Sequence, residues 1–108
     1  MLERLLTIAK RNPEGFSVRL PNLDPVTSGI AAAYAETQDS HGRAGLERCI
    51  DHALTHGKVV GGWLNEENGR YYFDSVRIFT NLEKAKAFGK ANGQIAIYDI
   101  SQKRVIKI

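Results

Sequence analysis

A chain of 108 residues, 43% hydrophobic and 25% charged, is long enough to bury one core and too short for two ordinary domains. Its single cysteine, Cys49, excludes an internal disulfide framework and a multi-cysteine metal centre. No apolar run approaches the roughly 18–20 residues of a membrane span, and Met1–Arg11 intersperses charges among its leucines, unlike a signal peptide. The expected setting is the cytoplasm, with no membrane partner.

The net charge of +3 is unevenly spread. Residues 81–108 hold Lys84, Lys86, Lys90, Lys103, Arg104 and Lys107 against Glu83 and Asp99, a balance of +4, and the rest of the chain sums to −1. A basic terminal third suits phosphates or an acidic partner. The same lysines also solvate a helix face and discourage strand pairing at an edge, and that is the expected role.

Leu2, Leu5, Leu6 and Ala9 recur at helical spacing, so Met1–Arg11 is predicted as a short amphipathic helix, ended by Asn12-Pro13-Glu14-Gly15. Phe16, Val18 and Leu20 alternate with Ser17 and Arg19, the pattern of a half-buried strand. Pro21 to Gly29 reads as a loop. Ile30–Thr37 is ambiguous, since alanine favours helix, but its place between a loop and a helix cap suits a strand. Ser40 is the expected cap of a second helix whose stripe is Leu46, Cys49, Ile50, Ala53 and Leu54, with Gly57 at its C′ position.

Val59–Leu64 and Arg70–Phe79 are β-rich runs joined by Asn65-Glu66-Glu67-Asn68-Gly69, where Asn-Gly supplies the positive φ of a hairpin. Thr80-Asn81-Leu82-Glu83 reads as a capping box for a third helix with Leu82, Ala85, Phe88 and Gly89 inward, closed by Asn92-Gly93. Gln94–Ile100 and Arg104–Ile108 are predicted as two final strands. The order α-β-β-α-β-β-α-β-β predicts an α+β domain, with a mixed or mostly antiparallel sheet carrying about three helices.

Several groups have the residue types of a site. His52 and His56 sit four apart, the spacing two zinc ligands use. No glutamate takes the general-base position of HExxH and His41 precedes the helix, so a solvated polar face and no metal site are expected. Cys49 lies inside the apolar stripe, where a thiol gains neither a lowered pKa nor access to solvent. Glu36-Thr37-Gln38-Asp39-Ser40-His41-Gly42 is the densest polar cluster, at a strand-to-helix junction where backbone N–H groups favour an anion. Capping and turns use the same residue types.

Gly61-Gly62-Trp63 lies within a strand, where glycines signal a bulge or the close approach of something bulky. Trp63, Tyr71, Tyr72 and Phe73 could stack on bases, but Asp74 would repel phosphate. Asp74 is itself odd in a strand; facing inward, it would need Arg77, Gln94 or the Thr37 and Ser40 hydroxyls as partners and would make a site, whereas facing outward it would signal nothing. The binding candidates are therefore Glu36, Thr37, Gln38, Ser40, His41, Trp63, Asp74 and Gln94. No nucleophile–base pair or carboxylate pair suggests catalysis, and no cofactor is expected.

The segments Glu36–Gly42 (ETQxSxG), Gly61-Gly62-Trp63, Tyr71-Tyr72-Phe73-Asp74 and Gln94-Ile95-Ala96-Ile97-Tyr98-Asp99 (QIAIxD) together resemble a small domain family of bacteriophages and mobile genetic elements, over roughly residues 15–100. The resemblance implies a setting and no chemistry. It makes the expected function that of a non-enzymatic accessory protein binding a host or phage protein, such as a defence or replication factor. A nucleotide or small-molecule binder, or a degenerate enzyme, using Glu36–Gly42, and a nucleic-acid binder using the basic terminal third, are the alternatives.

Overall fold

The structure, a computed structural model, describes all 108 residues. Helix α1 (Leu2–Arg11) precedes strands β1 (Phe16–Arg19), β2 (Asp24–Pro25) and β3 (Ile30–Ala33). A 3-10 turn (Ala35–Thr37) and the short strand β4 (Ser40–His41) lead into helix α2 (Gly42–Leu54). The hairpin β5 (Val59–Asn65) and β6 (Arg70–Phe79), helix α3 (Leu82–Ala91) and the strands β7 (Ala96–Asp99) and β8 (Arg104–Lys107) complete the chain. The sheet runs β2-β1-β5-β6-β3-β7-β8, with β4 also on β6, and every ladder is antiparallel. The domain is α+β, and no helix is long and apolar enough to cross a membrane.

All three helices lie on one face of the sheet. The period of two along a strand sends alternate residues of β6 to opposite sides. Phe73 packs with Leu5, Leu46, Cys49, Ile50 and Val60 under α1 and α2, while Phe79 meets Phe88 of α3 beside Ile30, Ala85 and Ile97. The other face carries a smaller cluster of Val26, Val59 and Val76 with Ala33, Ile78 and Ile100, to which no helix contributes. It is covered only in part, by the Pro21–Gly29 loop, which itself holds the two-residue strand β2.

Several local expectations are corrected. Ile30–Thr37 is a strand only to Ala33 and then tightens into the 3-10 turn, because Thr37 is drawn in to accept a hydrogen bond from Ser75 N–H (3.0 Å). Ser40 does not cap α2. It sits in β4, donating to the Thr37 carbonyl (2.6 Å) and accepting from Arg48 Nη2 (2.6 Å), and His41 is the N-cap without a side-chain bond. Gly57 lies one position beyond the expected cap; it is needed because a Cβ there would stand 2.3 Å from the Val76 carbonyl. The positive φ falls on Lys58 instead.

In the β5–β6 turn only Gly69 has positive φ, while Asn65 and Asn68 brace the loop by accepting from Glu67 and Arg70 N–H. The cap of α3 is Asn81 rather than Thr80, accepting from Lys84 N–H at 2.9 Å. Leu82 is exposed; the inward face is Ala85, Phe88 and Gly89. The last two strands are shorter than predicted at their ends.

Candidate functional site

The residues singled out in the sequence do not form one site, because the sheet separates them. Ser75 of β6 faces the helices and Asp74, its neighbour, faces away. Thr37 and Ser40 are buried on the helix side, where their hydroxyls are committed to the bonds above. Arg77 is on that side too, its guanidinium over the rings of Phe79 (5.1 Å) and Phe88 (5.9 Å). Gln94 belongs to the end of α3, its Nε2 donating to the Asn92 carbonyl at 3.2 Å. Asp74 does not take the inward orientation that would have joined it to Arg77, Gln94, Thr37 or Ser40.

Glu36 to Gly42 is correspondingly split. Asp39, Ser40 and His41 border a shallow depression with Ala44, Gly45 and Arg48, but Arg48 is spent on Ser40 Oγ and the Gln38 carbonyl. Gln38 makes no side-chain bond to a neighbour in the cluster and is exposed. The role of Thr37 is structural. Thr37→Val removes the acceptor of a buried N–H and is expected to lower stability by about 1 kcal/mol, seen as an earlier midpoint in urea unfolding with an unchanged slope.

On the helix-free face, Trp63 stacks on Tyr72 with ring centroids 5.4 Å apart and planes at 27°. The two are cross-strand partners in the β5–β6 ladder. His41 of β4, paired to Tyr72 on its other side, meets the same ring edge-on at 5.8 Å. Asn68 Nδ2 donates to the Tyr72 hydroxyl at 2.9 Å and holds the end of the ring. The result is an aromatic row across three strands.

Asp74 lies next to this row, opposite Gly61. Burial pushes its carboxyl up to about 6; the Trp63 indole N–H opposes the shift and the nearby Asp39 charge adds to it. The two glycines before Trp63 now separate in function. Gly62, on the helix side, makes room for the rings of Phe16 and Tyr71, which a Cβ would meet at 2.4 and 2.7 Å. Gly61 leaves a recess on the open face beside Asp74, with only Phe16 O, Ser17 Oγ and Val76 Cγ1 at 3.5–3.8 Å from where a Cβ would stand.

A second constellation lies at the C-terminal end of α2, and the sequence reading missed it. His52 is not on a solvated face: its side chain is only 12% exposed, with Nδ1 2.8 Å from the Oγ of the fully buried Ser75. His56 stacks on it, centroids 3.7 Å apart. Tyr34 stands edge-on to both rings at 4.8 and 5.3 Å, and Phe88 backs Tyr34 at 5.0 Å. Glu36, on the 3-10 turn, places Oε1 3.7 Å from His52 Nε2.

That Nε2 is buried and has no hydrogen-bond partner. Burial holds the His52 pKa below the ordinary imidazole value; the neighbouring His56 acts in the same direction and Glu36 against it. The one signal in the sequence was the four-residue spacing. The carboxylate that completes the group comes from a turn whose approach to α2 depends on Thr37. Cys49, by contrast, is the core thiol expected, fully buried and with its pKa raised by that burial.

The fold and these two clusters define an antiparallel α+β domain with one helix-covered and one partly open sheet face. Comparison with protein-family models, with characterised proteins and with solved structures gives no match.

Proposed function

We propose that this chain is a non-enzymatic binding domain whose partner is a protein, and that the helix-free sheet face centred on Trp63 is its interaction surface. The observation that carries this reading is Trp63 itself, 45% exposed while held rigidly against Tyr72. Interfaces concentrate their energy in a few such aromatic anchors, whose ordering cost is already met before the partner arrives. Asp74 supplies an acceptor in a half-dry position, suited to a lysine, arginine or amide donor of the partner. The Gly61 recess gives that donor space to approach. The resemblance to phage and mobile-element domains supports an accessory role in the host cytoplasm, against a defence or replication factor.

The test is affinity capture from host extract with the wild-type chain and Trp63→Ala in parallel. Trp63→Ala is expected to fold normally and to weaken capture of the specific partner by about thirtyfold, a loss of about 2 kcal/mol. The ionised carboxylate holds a partner's donor more strongly than the protonated one does, so affinity should also fall as pH drops through about 6, the range in which Asp74 takes up its proton. Equal capture by both proteins would end this reading. Saturable quenching of Trp63 by a nucleotide would instead favour the small-molecule alternative. DNA or RNA binding that weakens with salt and ignores Trp63→Ala would favour the basic terminal third.

A further inference from the structure

We propose that Glu36, His52 and His56 form a binding site for one divalent transition-metal ion of the zinc class, distinct from the Trp63 surface and on the opposite side of the sheet. Three potential ligand atoms, one from each residue, lie within 4.8 Å of one another. Donors around zinc, at bonds of about 2.1 Å, lie about 3.4 Å apart. The His52–Glu36 pair is already at 3.7 Å. Closing the remainder requires the His56 ring to turn its edge toward His52 and Glu36 to swing inward. His56 and Glu36 are both exposed and free to make those rotations, while His52 is the fixed ligand.

The surroundings favour lone pairs turned toward the ion. His56 Nδ1 is 2.8 Å from the His52 carbonyl. A carbonyl only accepts, so in the neutral ring Nδ1 carries the proton and Nε2 presents its lone pair. Ser75 Oγ can accept from His52 Nδ1–H in the same way, which frees the buried, unpartnered Nε2 for a metal. Outer partners of this type orient imidazole ligands and raise their basicity. Tyr34 and Phe88 wall one side.

Two imidazoles and a carboxylate select zinc, cobalt, nickel or copper over calcium and magnesium. With three protein ligands, a fourth position remains for water or for a group from outside. The ion would also fasten the Ala35–Thr37 turn to the end of α2.

The experiment is a titration of tag-free, chelator-stripped protein with Co2+, followed by its visible d–d absorption, and with Zn2+, followed by calorimetry. One equivalent is expected to bind with saturation, and Zn2+ is expected to displace Co2+. His56→Ala and Glu36→Gln should each weaken binding at least tenfold. Because both side chains are exposed, neither should lower the melting temperature of the metal-free protein. Ser75→Ala should weaken binding by about tenfold through orientation alone, and His41→Ala should leave it unchanged. Absence of saturable one-to-one binding would overturn the site. So would binding that survives His56→Ala combined with Glu36→Gln.

Discussion

Replacing Asp74 by asparagine is expected to raise the melting temperature at pH 8 and to leave it unchanged at about pH 3. The Asp74 carboxyl has an ordinary value of 3.8 and stands at about 6 in the folded chain, chiefly because it is buried. Between those two values the folded state holds a proton that the unfolded state has released, so stability declines as pH rises through that window. Below about 3 both states are protonated, and the side chain carries no electrostatic penalty. Above about 7 the ionised carboxylate opposes folding in full.

A shift of about two units corresponds to about 3 kcal/mol at most, and partial access of water reduces it to about 1–3 kcal/mol. Asparagine keeps the shape without the charge. Its advantage over aspartate should grow from nothing at about pH 3 to about 5–10 °C at pH 8, read from thermal unfolding across the range. A difference constant with pH would mean that Asp74 is not held in the state described. The same substitution should weaken partner capture, so that one residue trades stability for binding.

Gly62→Ala is expected to destabilise the domain by about 1–3 kcal/mol, whereas Gly61→Ala should be neutral or stabilising by up to about 1 kcal/mol. The two positions are adjacent in one strand and neither has positive φ, so backbone freedom does not distinguish them. Space does. A Cβ at 62 would enter the rings of Phe16 and Tyr71, with Phe16 Cε1 at 2.4 Å, while at 61 it would make only ordinary contacts from 3.5 Å outward. Those rings join the core under α1 and α2, so relief requires moving both. Chemical denaturation of the two variants measures the difference directly. Gly61→Ala should nevertheless impair binding, because it fills the recess beside Asp74. Equal stability of the two variants would contradict the packing described.

Much of the architecture was legible in the chain. The apolar stripe Leu46-Cys49-Ile50-Ala53 is buried as its period requires, except that Leu54, predicted to end it, is exposed at the last turn of α2, and the alternation of Phe16 and Val18 with Ser17 and Arg19 reports a real strand. Helix α1 and the β5–β6 hairpin lie where their patterns put them. These features depend on side-chain period and turn chemistry, which are local. The ambiguous Ile30–Thr37 segment was settled by tertiary contact. Its last residues leave the sheet because the Thr37 hydroxyl is needed by Ser75, a demand that local propensity does not register.

The candidate sites were legible only as residue types. Asp74 was marked by its oddity in a strand and Trp63 by the glycines before it and its stacking ring, but the meeting of Trp63 with Tyr72 and His41 depends on register across three strands. Glu36 was grouped with its sequence neighbours, and His52 and His56 were assigned to solvent. The structure places these three together, because β6 presents Ser75 to α2 and the 3-10 turn brings Glu36 over the helix end. Periodicity by itself determined which faces are apolar and therefore the α+β class. Which polar groups meet was decided only by the tertiary structure, since a one-residue step along β6 moves a side chain to the opposite side of the sheet.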